Sequence, residues 1–192
     1  MNAIVQFPDA EARIRAAIDA GILKRGTWGN GTDAVCMMSA VVSGADGTEA
    51  CVTAGWPAWL VEVNVSLFDA DVGADDEGAA ATTFSLDLFK AAALPFDADA
   101  ARDRFLILRL ETGHHSALKS LRLNRVDADW WRDCEAAIVA VVALLHRRIA
   151  GEDVATEMEA ARAAARAASR AAPDAAARAD LITAITESRI AA

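Results

Sequence analysis

The chain has 192 residues, enough for one domain or one domain with an appendage, and 54% of them are apolar, enough for a substantial core. Its formal charge of −9 lies in the first half: residues 1–100 carry 15 Asp or Glu against 5 Lys or Arg, and residues 101–192 carry 13 against 14. That balance argues against broad, direct nucleic-acid binding, which runs on a basic surface.

The N-terminus (MNAIVQFPDAEARIR) lacks the apolar core of a signal peptide. Pro8, followed by Asp9 and Glu11, starts a helix whose inner face is Ile14, Ala17 and Ile18. Gly21 ends or bends it. Residues 24–32 (KRGTWGNGT) form a loop with three glycines. Thr32 or Asp33 then caps a helix carrying Val35, Cys36, Met37, Met38, Val41 and Val42. A basic, glycine-rich loop ahead of a helix can cradle an anion. No Walker-type ending and no GxGxxG accompanies it, so it reads as a connection with Trp28 folded over the core.

Residues 44–48 form a turn. The stretch from Cys51 to Phe68 fits two periods. Val61, Val63, Val65 and Leu67 alternate as in a strand, while Pro57 at a first helical position with Trp56, Trp59 or Leu60, Val63 and Leu67 behaves as a helix face. We assign helix, because a lone strand cannot satisfy its own backbone. Residues 69–78 (DADVGADDEG) are an acidic loop. Counted from Asp69, position 6 is Ala74 and position 12 is Ala80, which departs from the order of a calcium-binding EF-hand. Residues 79–93 follow as a helix with Phe84, Leu88, Ala91 and Ala92 inward, stopped by Pro95. Asp97 caps a helix from Ala98 to about Glu111, and Gly113 ends it. His114 and His115 lie in the next loop, and Ser116 caps a short helix to Leu123.

Residues 136–145 are ten apolar residues in a row, too few for the roughly 20 of a membrane span. Trp131, Cys134, Ile138, Val141, Val142, Leu145 and Ile149 share one helical face, and Ala137, Val139 and Leu144 extend apolarity around the cylinder. This predicts a core helix over about 127–150, with Asp127 or Asp129 as cap and Gly151 as its stop. Beyond it, residues 155–172 are about half alanine, with Arg162, Arg166 and Arg170 in a row along one face. Pro173 breaks the chain, and residues 175–190 form a last helix with Leu181, Ile182, Ile185 and Ile190.

The expected fold is therefore all-α: a compact multi-helix domain, residues 1–151, built around the helix at about 127–150. A C-terminal alanine-rich αα-hairpin, residues 152–192, packs on that core or on a second subunit.

Two patterns resemble known material. Trp28 with residues 33–40 (DAVCMMSA) resembles the tryptophan, cysteine and small-residue helix of uncharacterised proteins of bacteria and their phages. Residues 149–152 (IAGE) running into 160–165 (AARAAA) resemble the alanine-rich helical tails of such proteins, some labelled as immunity proteins. The resemblance covers about a third of the chain. It implies a helical protein and no particular active-site residue.

For function, no GxSxG, HExxH, CxxC, P-loop or dinucleotide fingerprint is present. The one nucleophilic constellation the residues allow is Cys36 with His114 or His115, as in a thiol hydrolase. Zinc needs about four ligands in geometry, and no spacing here supplies them, so neither metal nor other cofactor is expected. Cys36, Cys51 and Cys134 are an odd number without short paired spacing, which suggests reduced thiols and a cytoplasmic protein without membrane contact. The leading expectation is a non-catalytic helical module that binds another protein, such as an immunity-type or phage-borne inhibitor. Its partner-binding residues would be the acidic set Asp69, Asp71, Asp75, Asp76 and Glu77, and the arginine row Arg162, Arg166 and Arg170. An architectural oligomer, such as a homodimer, through the hairpin is the remaining alternative.

Overall fold

A computed structural model describes residues 4–29, 33–69, 77–113, 116–125 and 127–171. The chain is all-α; the one sheet among the described residues is an antiparallel pair of two-residue strands. It divides into two compact units, Met1–Asp99 and Ala100–Ala192.

The first unit contains β1 (Ile4–Val5), α1 (Ala10–Asp19), α2 (Met37–Val41), α3 (Thr48–Thr53), α4 (Ala58–Asp69), α5 (Glu77–Ala92) and β2 (Phe96–Asp97). Ile4 pairs with Asp97 and Val5 with Phe96, and the Phe7 amide donates to the Ala92 carbonyl at 2.9 Å. The core gathers Ile14, Met37, Met38, Cys51, Val61, Phe68 and Phe89, all fully buried.

Two of its helices end in the same way. After α1, Gly21 adopts φ +68°, its amide bonds to the Ile18 carbonyl, and the Ile22 amide bonds to the Ala17 carbonyl. After α3, Gly55 adopts φ +93°, its amide bonds to the Val52 carbonyl, and the Trp56 amide bonds to the Cys51 carbonyl. These are Schellman turns, whose left-handed residue is cheap only for glycine.

The second helix starts later than the sequence pattern suggests. Val35 donates to the Ile22 carbonyl at 2.9 Å and accepts from Lys24 at 2.8 Å, which draws it into bridges rather than a helical turn. Cys36 becomes the cap and Met37 the first helical residue, so neither Asp33 nor Val35 has its expected place. Thr32 lies outside the described residues. Gly29, at φ +85°, is pressed against this bridge: a Cβ there would sit 1.9 Å from the Ala34 carbonyl oxygen.

The ambiguous stretch is helical. Leu60, Val61, Asn64 and Phe68 of α4 are buried at i, i+1, i+4 and i+8, while Glu62 faces solvent. In α5 the inward face is Ser85, Phe89 and Ala92; Phe84 and Leu88 pack at its margin and Ala91 is exposed. The face is turned by about one residue from the expected one, because burying the whole Phe89 ring outweighs burying Ala91.

The second unit takes most of α6 (Ala98–Ile107), a π-helical turn at Leu108–Thr112, α7 (Ala117–Leu123), α8 (Asp129–Ile149) and α9 (Ala155–Ala171). The π turn closes where the Gly113 amide reaches the Leu108 carbonyl at 2.7 Å. A Cβ on Gly113 would lie 2.3 Å from that oxygen. Ser116 caps α7 as expected, accepting from the Lys119 amide at 3.4 Å and donating to the Glu111 carbonyl at 2.7 Å.

In α8 the cap is Ala128, without a side-chain bond, rather than Asp127 or Asp129, whose carboxylates both take Arg132. Its buried side is Trp131, Cys134, Ala137, Val142, Leu144 and Leu145. The apolar run nevertheless keeps a solvent side, formed by Ala136, Ala140, Ala143 and Val139, the last 45% exposed. Gly151, at φ +91°, ends α8 in a third Schellman turn, with the Glu152 amide on the Arg147 carbonyl at 3.0 Å. The chain reverses there, and Val154, Met158 and Ala161 pack on Val142, Leu144 and Leu145. Gly151 is thus the turn of a packed helix pair inside one unit, and the division of the chain falls at 99/100. Residues 172–192, with the expected second arm of the hairpin, lie outside the described residues.

One buried ion pair fixes this unit. Asp103 is 2% exposed, and Arg148 holds it in a two-pronged grip, Nε to Oδ2 at 2.6 Å and Nη2 to Oδ1 at 2.5 Å. Arg102 Nε lies 3.6 Å from the same Oδ1. Burying a carboxylate this deeply is costly without such partners. Replacing Asp103 by Ala removes this two-pronged contact from a half-buried guanidinium. The expected cost is about 3 kcal/mol, read as a lower urea midpoint at unchanged slope; an unchanged midpoint would refute the role given to this pair.

Candidate functional site

The expected site residues go to different places. Cys36 is 2% exposed and caps α2, its Sγ accepting from the Ser39 amide at 3.4 Å. Ser39 Oγ lies 3.4 Å from that sulfur, 2.6 Å from the Trp28 carbonyl oxygen and 2.8 Å from the Ala45 carbonyl oxygen. The hydroxyl has one proton, and the carbonyls are its acceptors. The Cys36 S–H is then the donor toward Oγ. A nucleophilic thiol instead needs a base on its proton. His114 and His115 lie outside the described residues, and among those described no three His, Cys, Asp or Glu side chains converge as metal ligands.

All three cysteines are free and buried. Burial, reinforced by Cys36 nearby, pushes the Cys51 thiol up to about 11. Burial, with Asp133 beside it, raises Cys134 as well.

Of the acidic set, Asp69 closes a loop. Its Oδ1 accepts from the Gly26 amide at 2.8 Å, and its carbonyl accepts from Arg25 at 3.3 Å. This ties the glycine-rich loop to the end of α4. Asp71, Asp75 and Asp76 lie outside the described residues, as do the side chains of Glu77 and Arg170. Arg162 and Arg166 are exposed along α9, about 6 Å apart along its axis. The helix that carries them is seated on α8 through Met158 and Ala161, with Val154 just before it, and Arg147 bonds Glu152 at 2.7 Å and Glu157 at 3.3 Å across the turn.

The first unit also contains a cleft that the sequence did not announce, with a volume of about 360 Å³. Its wall is aromatic: Phe7 stacks on Trp56 with ring centroids 3.6 Å apart, and Trp56 meets Phe89 edge-on at 5.6 Å. Its rim is polar, formed by Gln6, Asp9, Arg13 and Ser43. Arg13 is steadied by donating Nη1 to the Val41 carbonyl at 3.0 Å. Asp9 precedes α1, and its carboxylate makes no capping bond. The Schellman turn at Gly55 brings Trp56 here, a link between residues 7, 13 and 56 that no local pattern encodes.

No family model matches the chain, and no curated protein or solved structure does.

The raised Cys51 thiol has a consequence for stability. The folded state favours the neutral thiol, so its contribution is complete below pH 9, the ordinary value, and is lost as pH rises toward 11. The chain has no tyrosine to titrate in that window. Unfolding followed from pH 8 to 11 should show falling stability, and Cys51→Ala, though less stable at pH 8, should show a shallower fall. Parallel curves for the two proteins would contradict this.

Proposed function

We propose that the chain is a helical protein-interaction module whose acidic first unit binds a basic partner protein, in the manner of an immunity-type or phage-borne inhibitor. The observation that carries this reading is the disposition of charge on that unit. Asp19, Asp46, Glu49, Glu62 and Asp87 stand exposed on its surface. Its five cations are fewer and partly engaged: Arg13 bonds the Val41 carbonyl, Arg15 bonds Glu11 at 3.0 Å and Arg25 bonds the Asp69 carbonyl, while Lys24 and Lys90 stand exposed. A surface of one sign steers a partner of the other and can stand in for a phosphate backbone. In this reading the protein is cytoplasmic and touches neither nucleic acid nor membrane directly. Arg162 and Arg166 offer a second, oppositely charged strip.

Oligomerisation through α9 is supported less, because the apolar side of that helix lies on α8.

The test is affinity capture with the full chain, repeated from about 0.05 to about 0.5 M salt. The expected result is a basic protein that elutes with salt and binds at least about tenfold more weakly to a Glu49→Lys, Glu62→Lys, Asp87→Lys variant of unchanged helicity. Capture that is indifferent to salt and to charge reversal would overturn the reading.

A further inference from the structure

We propose that the cleft between Phe7, Trp56 and the first turn of α1 binds a free α-amino acid with an apolar side chain. This stands apart from the partner-binding reading and uses none of the acids assigned to it.

The rim selects the chemistry. Asp9 and Arg13 stand one turn apart at the start of α1, joined through the Arg13 amide on the Asp9 carbonyl at 3.1 Å. A simple anion at this rim would meet the Asp9 carboxylate, and a simple cation would meet the Arg13 guanidinium. A molecule with both charges a few ångströms apart satisfies both, its carboxylate on Arg13 and its ammonium on Asp9. Ser43 and Gln6 add a hydroxyl and a carboxamide to the same rim.

The guanidinium is positioned before any ligand arrives. Val41 accepts one arm of the guanidinium and thereby aims the rest of it. No capping bond holds the Asp9 carboxylate on the helix end. Beneath the rim, the Phe7 ring and Val42 form an apolar wall backed by Trp56, which is only 4% exposed. That wall suits an aliphatic or aromatic side chain, and a volume of about 360 Å³ admits a ligand of this size.

The experiment is calorimetric titration of the full chain with L-leucine and L-phenylalanine, beside N-acetyl-leucine, which lacks the ammonium, and leucinamide, which lacks the carboxylate. The expected result is saturable binding of the free amino acids, with each masked form at least about tenfold weaker. Arg13→Gln, which keeps a donor for the Val41 carbonyl, and Asp9→Asn should each weaken binding by a similar factor. Absence of saturation up to about 50 mM, or masked forms that bind as well as the parents, would overturn the proposal. If either variant failed to fold, the masked ligands alone would decide the question.

Discussion

Trp56 is the contact on which the first unit depends. Its indole lies between the Phe7 ring, stacked at 3.6 Å, and the Phe89 ring, edge-on at 5.6 Å. Phe7 belongs to the entry segment, Trp56 to the turn after α3, and Phe89 to α5, so one side chain joins three stretches far apart in sequence. Aromatic contacts of this kind add to the area they bury. The tryptophan reaches this position only because Gly55 lets the chain turn left-handed after α3. The same stack forms the wall of the cleft, so the packing that holds the unit together also shapes its concave surface.

The second unit relies on a different device. Most of its buried apolar residues fall into two small clusters, an aliphatic one around Val142, Leu145 and Met158 and one around Trp131, and its alanine-rich helices bury little area each. What it lacks in area it makes up in directed contacts. Arg148 grips Asp103, Trp131 Nε1 donates to the Leu121 carbonyl at 3.1 Å, and Ser116 closes the end of the π turn. Each of these joins two elements through groups with fixed geometry. Arg125 over the Trp131 ring, 5.7 Å from its centroid, adds a cation–π contact.

Features encoded by neighbouring residues were legible in the sequence. Gly21 and Gly151 as helix stops, Ser116 as a cap and the helical state of residues 58–69 all follow from short-range rules. Features that depend on distant residues were not. Asp103 and Arg148 are 45 residues apart, and nothing in the sequence distinguishes Asp103 from the acids around it. Cys36 as a helix cap escaped because Val35 is diverted into a bridge with the preceding loop, which shifts the helix start. Alanine misled in a different way. It counts as apolar in a periodicity, yet Ala136, Ala140 and Ala143 face water, where a small helix-forming side chain costs little. Of the candidate site, the sequence offered Asp9 as a helix-start residue but not the cleft, since Phe7, Arg13, Ser43 and Trp56 meet only through tertiary packing.

The two short strands give the first unit an architectural property. Because Ile4 sits opposite Asp97, the chain enters and leaves the unit at one point on its surface. Ends held side by side are the geometry that domain insertion and circular permutation use. Two strands too short to contribute much stability thus fix where those ends lie.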